Sequence, residues 1–413
     1  MKYSRNVDAG EVALAIVWFK YFLTDRLERK VNGFEAAGKD HPLLAEYYRN
    51  TFKLEYALVR LMREFVPGQP IPLHSTFSGP INFIVTLVRI YQGLSAAGKK
   101  KLTEALDGTF GQAYGMRPLE FEMTAAGHFL GKGCDVNFVD LENQGNFEFI
   151  VSKDGEELEV ECKTISADAG RLIDQKGVCT VGEHVRSIVT GLHDLSSRIL
   201  TIKIKNRLSH LSGDALSSLY AAIPKALHGE PFIARADFEL TLEVKPEFVL
   251  PPEITKEVDV KKFVGQKVGG LGKHVLLHAQ KVSRNIICTV FESTTPDTVL
   301  EFISEKAATA GRQFSHQRPS LVAIQIADMP EDALKELHTM PGVGTQKIAE
   351  NLFEGPPRRP HVNAVAFSVL PSPEIFIKPG PEISNVSALV SMIRNPAAKF
   401  PSPTVDSGNP FKD

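Results

Sequence analysis

Three stretches of this chain carry acids and a base at spacings that could do chemistry. They are "PLEFEM" (118–123) with Glu122, "NFEFIV" (146–151) with Glu148, and "ELEVECKTI" (157–165) with Glu161 and Lys163. Residues two apart on an extended strand point the same way, so Glu161 and Lys163 share one face. Mg²⁺ (or Mn²⁺) takes hard oxygen ligands and usually one or two carboxylates, leaving the rest to water and a substrate phosphate. A bound ion polarises a phosphoryl oxygen. A lysine beside it can orient or deprotonate an attacking water and offset charge in the transition state. The competing expectation is a solvated face, because Leu158, Val160 and Cys162 alternate with Glu157, Glu159, Glu161 and Lys163 as on any half-buried strand.

Positioning those groups requires a helix and a hairpin. A helix is expected to begin after Pro118 and close at the Gly131–Gly133 turn, with Glu122 early in it. Three short strands, "CDVNFVDL", "NFEFIVS" and "ELEVECKTI", should follow, with Glu148 on the second. Between the last two lies "KDGE", whose Asp154-Gly155 supplies the positive φ angles of a tight turn and would fold Glu148 alongside Glu161.

Helix glutamate, acid on a hydrophobic strand and Glu-x-Lys on the next strand together resemble the PD-(D/E)XK nuclease superfamily, over about residues 118–205. The resemblance implies a restriction-endonuclease-like mixed sheet flanked by helices, similar to that of Holliday-junction resolvases. It implies Glu148 and Glu161 as metal ligands, Lys163 as catalytic lysine, and Glu122 as the helix glutamate of resolvase-like members. Glu148 stands where the family usually has aspartate after proline. Beyond the core, "ADAGRLIDQK" offers Arg171, Gln175 and Lys176 for phosphate contacts. "KIKNR" adds Lys203 and Lys205 on the strand expected to follow the site. The implied activity is metal-dependent phosphodiester hydrolysis of nucleic acid, with DNA ahead of RNA. The alternative is a catalytically inactive relative that binds nucleic acid or protein.

The totals bound what can surround such a site. With 413 residues, two or three domains are expected. At 43% hydrophobic and 23% charged residues the composition is that of a globular chain with ample core. A net charge of −2 means that nucleic acid would have to meet a local basic patch rather than a global field. Cys134, Cys162, Cys179 and Cys288 have no metal-ligand spacing and read as free thiols of a reducing, cytoplasmic setting. The apolar start is interrupted by Lys20 and reads as an amphipathic helix, so no membrane contact is expected.

The fold class read from the pattern is α/β. Its parts are a helical region over 1–110, a nuclease-like domain over 111–245, an α/β region over 258–395, and a loose tail over 396–413. A homodimer is compatible with this plan. Helices are expected near 182–196 and 296–310, and strands at "SRILTIKIKNRL", "HVLLHAQ", "RNIICTVFE", "SLVAIQIAD" and "HVNAVAFSVL". Two motifs are weighed and set aside. "LHTMPGVGTQKIAENL" (337–352) resembles a DNA-binding helix-hairpin-helix but reads better as a helical crossover between two strands. The glycine-rich 265–272 lacks the Gly-Lys-Ser/Thr ending of a phosphate-binding loop.

Overall fold

The computed structural model describes residues 9–69, 77–166, 168–191, 197–205, 207–228, 241–245, 274–279, 286–329, 331–340, 344–369 and 389–406. The glycine-rich 265–272 lies outside them. The first helices are α1 (Ala9–Gly38), α2 (Pro42–Thr51), α3 (Lys53–Glu64), α4 (Ser78–Gly93), α5 (Ala96–Gly108) and α6 (Arg117–Gly131). Strands β1 (Asp135–Phe138), β2 (Phe149–Lys153) and β3 (Glu156–Ser166) follow, then α7 (Gln175–Gly191), β4 (Arg198–Ile204) and α8 (Gly213–Leu227). Next come β5 (Thr241–Lys245), β6 (His274–Ala279), β7 (Ile286–Ser293), α9 (Val299–Gln313) and β8 (Ser320–Ala327). The remaining elements are α10 (Glu331–Thr339), α11 (Thr345–Glu354), β9 (Val362–Val369), β10 (Leu389–Arg394) and α12 (Pro403–Asp406).

The chain divides differently from the composition-based plan. One compact unit joins Met1–Gly33, Arg49–Ala169 and Leu300–Asp413, and the other joins Phe34–Tyr48 with Gly170–Val299. Residues 111–245 are therefore split between the two units rather than forming one domain, and the helical start is not separate.

The first unit is built on a six-stranded mixed sheet in the order β1-β2-β3-β8-β9-β10. β1, β2 and β3 form an antiparallel meander, β3, β8 and β9 run parallel, and β10 closes the edge antiparallel. The helical layer packs on this sheet because neither could bury its apolar face alone. Ile16 and Phe19 of α1, Leu58 of α3, Ile84 of α4 and Phe129 of α6 share a core with Phe149, Val160, Cys162, Leu321 and Ala364. Fully burying each large apolar side chain there contributes about 1.5–3 kcal/mol. On the edge, α10 and α11 pack against β9 and supply the crossover between parallel β8 and β9 that the motif at 337–352 suggested.

The strand "SRILTIKIKNRL" follows the site in the chain as β4 and belongs to the second unit's sheet, in the order β5-β4-β7-β6. One local expectation needs correction. The stretch after 395 is packed where it is described. Val405 has no exposure, and the Asn395 side chain donates to the Val362 carbonyl at 2.9 Å. The last residues of the expected tail, 407–413, lie outside the described set.

In the second unit α7 and α8 cover the β4 face bearing Leu200, Ile202 and Ile204, and Val185, Leu219 and Phe291 complete that core. α7 starts well before the expected position because Asp174 caps it, its carboxylate accepting from the Gly177 N–H at 2.8 Å.

Candidate active site

The hairpin forms as its sequence requires. Lys153 pairs with Glu156 across Asp154 and Gly155, whose φ angles are +52° and +85°. That turn fixes the register Phe149↔Val160, so one step further Glu148 lies opposite Glu161. Glu148 itself sits in a bend immediately before β2 rather than on the strand. Its carbonyl accepts from the Val139 N–H at 3.0 Å, and its own N–H donates to Glu161 Oε2 at 3.2 Å.

The solvated-face expectation fails at Glu159 and Glu161, both of which have zero exposure. Alternation sends Leu158, Val160 and Cys162 into the helix-covered core. The opposite face is covered too, since Val322 and Ile324 of β8, which stand beside Glu161 and Lys163 on that face, are fully buried. Two carboxylates under that cover must find partners. Glu159 accepts from the Ser315 N–H at 2.9 Å, from the Ser315 hydroxyl, and from Arg318 Nη1 at 3.2 Å. Its needs are met by structure.

Glu161 is provided for differently. Lys163 donates to its Oε1, and the Glu148 N–H supplies Oε2. Burial raises the Glu161 carboxyl to about 7 despite the attraction of Lys163. On α6, half-buried Glu122 is pushed to about 8, first by burial and then by the charge of Glu161. Glu148 is driven well above the ordinary carboxylate range by burial and by repulsion from Glu122 and Glu161. Burial works against the charge on Lys163, but its contacts with Glu161 outweigh this and raise it. Asp140 adds further repulsion to all three glutamates.

Asp140 and its loop are anchored from α5. Lys101 Nζ reaches both the Asp140 carboxylate and its carbonyl at 2.8 Å. Ser95, which caps α5 through the Gly98 N–H, donates its N–H to Glu142 at 2.8 Å. The thiol of Cys162 is pushed well up by burial and by the surrounding carboxylates, so it is no nucleophile. All four cysteines are free and buried.

Sequence reasoning thus named the four groups that the first unit brings into electrostatic contact, Glu122, Glu148, Glu161 and Lys163. It missed Asp140, for which the only signal was its place at the end of "NFVD". The proposed nucleic-acid contacts Arg171, Gln175, Lys176, Lys203 and Lys205 are carried by the second unit. There Arg171 approaches Asp297 at 4.0 Å, Lys176 is exposed at the start of α7, and Lys203 and Lys205 stand on and just beyond β4.

Among the described residues, no three His, Cys, Asp or Glu side chains are gathered tightly enough to cage a metal ion. Mg²⁺ does not need such a cage, since one or two carboxylates with water and phosphate suffice. The donor chemistry fits a divalent cation: three mutually repelling glutamates whose charge Lys163 offsets. A cation entering there would displace protons that the raised carboxyls hold.

In comparison with known proteins, the chain matches no family model, no curated protein and no solved structure. Among the described residues, no helix is long and apolar enough to cross a membrane.

Proposed function

We propose that this protein hydrolyses phosphodiester bonds of nucleic acid, DNA ahead of RNA, with Mg²⁺ or Mn²⁺ bound at Glu148 and Glu161. The observation that carries this reading is the mutually repelling set of half-buried Glu122 and Glu148 and buried Glu161 around Lys163. Strongly raised carboxyls facing one cation, at the end of a strand hairpin, are arranged for chemistry more than for stability. A restriction-endonuclease-like arrangement is the fold this reading adopts, on the helix, the three-stranded meander and the resemblance of Glu148, Glu161 and Lys163 to that family's site.

In this reading a bound divalent cation supplies Lewis acidity to the scissile phosphoryl oxygen. Lys163, kept charged by Glu161, orients the attacking water and offsets negative charge building on the phosphate. Glu122, holding its proton near neutral pH, serves as a hydrogen-bond donor or proton store beside the reacting group. The Glu148 N–H keeps Glu161 aimed across the hairpin.

A second reading has one observation in its favour. Lys163 and the Glu148 N–H already occupy both oxygens of Glu161, as expected of a relative that binds nucleic acid or protein without cutting. The test is cleavage of linear and branched DNA and of RNA with Mg²⁺ or Mn²⁺, comparing the native chain with Lys163→Ala. Loss of metal-dependent cleavage in a variant that remains folded supports catalysis. Unchanged cleavage in that variant overturns the assignment, and binding without any cleavage favours the second reading.

A further inference from the structure

We infer that Lys101 and Ser95 of α5 are positioning residues for the carboxylate site. Through the loop 139–144 they hold Glu148 in the bend from which it can share a divalent cation with Glu161. The inference rests on the metal-binding reading above and adds to it what keeps Glu148 in place.

Glu148 is not held by a strand ladder. The pairing of β1 with β2 ends at Phe138↔Phe149, and Glu148 lies one residue beyond. Its carbonyl instead accepts from two successive loop N–H groups, Val139 at 3.0 Å and Asp140 at 3.4 Å. Its own N–H donates to Glu161 Oε2 at 3.2 Å. The backbone of Glu148 thus bridges the loop to Glu161, and a loop that shifts turns the Glu148 side chain with it. Helix α9 adds a hold two residues earlier, where Gln313 Nε2 donates to the Asn146 carbonyl at 2.8 Å. At Glu148 itself the hold comes from the loop.

The loop is in turn clamped from α5 at two points. Lys101 Nζ reaches the Asp140 carbonyl and carboxylate, both at 2.8 Å. Ser95 gives its N–H, at 2.8 Å, and its hydroxyl to the Glu142 carboxylate. Space is shaped to this course on both sides. A Cβ at Gly98 would fall 2.7 Å from Glu142 Oε1, and one at Gly145 would fall 2.7 Å from Val139 Cγ1. Within the loop, the Gln144 N–H donates to the Val139 carbonyl at 2.8 Å and the Asn143 N–H to that of Asp140 at 3.0 Å. A grip on Asp140 and Glu142 is therefore felt at Val139. All of these residues belong to the first unit.

Charge and positioning predict opposite signs. Of three consecutive lysines, Lys99 stands over the Tyr91 ring at 5.5 Å and Lys100 lies 3.8 Å from Glu104, while Lys101 turns to the loop. A lysine near a cation site repels the cation, and this one also masks Asp140. On charge alone, deleting it would tighten metal binding. Loss of positioning does the reverse, because groups that orient metal ligands are worth about ten- to a hundredfold in metal affinity.

The test is Mn²⁺ binding to the full chain without nucleic acid, read from the paramagnetic resonance of the free ion, so that cleavage plays no part. Lys101→Met should weaken binding at least about tenfold. Lys101→Arg should restore most of it, since a guanidinium can donate to the same two oxygens. Ser95→Ala should weaken binding in the same direction. Lys100→Met, which removes the same charge one residue away, should bind as the native chain does or more tightly. Circular dichroism and urea midpoints check that each variant is folded, and Ser95→Ala carries the test if Lys101→Met is not. Native or tighter affinity in both Lys101→Met and Ser95→Ala, with binding lost in Glu148→Ala, overturns the positioning and leaves the metal site standing. A native chain that binds no Mn²⁺, or Glu148→Ala that binds as well as the native chain, overturns the metal-binding reading and this inference with it.

Discussion

Lys163 donates a hydrogen bond to Glu161, two residues earlier on β3, and that carboxylate has no solvent exposure. Removing the cation strands a buried charge, whereas removing both charges leaves little to strand. Lys163→Ala should therefore cost about 3 kcal/mol, the low end for breaking a buried pair because Lys163 is partly exposed, and within the stability of an ordinary domain. Adding Glu161→Gln should recover about half of that, because the amide oxygen can still accept from the Glu148 N–H. Urea unfolding of the two single variants and the double variant measures the coupling. Strictly additive losses would show that the pair is a coincidence of geometry.

Glu159 gives the control for Glu161 on the same strand. Both carboxylates are fully buried, but Glu159 is satisfied by Ser315 and Arg318 and touches none of the raised glutamates. Glu159→Gln should lower stability by about 1–3 kcal/mol and leave the metal dependence of cleavage unchanged. Glu161→Gln should do the reverse, abolishing cleavage at small cost in stability. Cleavage assays with metal titration, beside chemical unfolding, separate the two. Equal loss of cleavage in both would remove the distinction between a structural and a chemical glutamate.

Much of this site was legible because local rules coincide there. Asp154-Gly155 dictates the hairpin, alternation along 157–163 sorts its faces, and Pro118 starts α6 within a residue of its place. Glu159 was not legible, because a strand with charges at every second residue looks solvated until its cover is known. Its partners Ser315 and Arg318 come more than a hundred residues later, and no local pattern announces that Gly170–Val299 leaves for the second unit before the sheet resumes. For the same reason "SRILTIKIKNRL" reads correctly as a strand but gives no sign of which sheet it joins. Asp140 escaped notice because its importance comes from Lys101 on α5, an element remote in sequence.

A further raised carboxyl, Glu120 on α6, offers a pH test outside the set of Glu122, Glu148 and Glu161. Burial pushes it to about 7, against the pull of Arg117 and with help from Glu55. Its folded value lies above its unfolded value, so the folded chain holds the proton that the unfolded chain releases. Its stabilising share is complete below about 4.5, declines as pH rises towards 7, and is gone above. Glu120→Gln should match the native protein at pH near 4 and exceed it at pH near 8. Partial exposure tempers the gain to about 1–2 kcal/mol. Thermal midpoints across that range give the answer, and a gap independent of pH would remove Glu120 as its source.

Gly344 tests the crossover whose glycines first suggested a phosphate-binding hairpin. A Cβ there would fall 1.9 Å from the Leu337 carbonyl oxygen and 3.1 Å from that of Met340. Leu337 lies in the last turn of α10 and Met340 just follows it, and Gly344 also donates its N–H to the Met340 carbonyl at 3.3 Å. Its φ of −81° is ordinary, so the demand for glycine is steric, set by how closely α10 and the start of α11 approach. The two helices are pinned there by His338 Nδ1 and the Thr345 hydroxyl at 3.0 Å, and Thr345 is fully buried. Gly344→Ala should therefore cost about 2–3 kcal/mol, the range of overpacked interiors. Gly33→Ala is the matched comparison, since a Cβ there meets nothing within 4 Å and a helix interior gains about 0.5–1 kcal/mol from alanine. Urea midpoints moving in opposite directions would establish Gly344 as a packing glycine. Retained stability with weakened oligonucleotide binding in Gly344→Ala would instead return the hairpin to a role in holding phosphate.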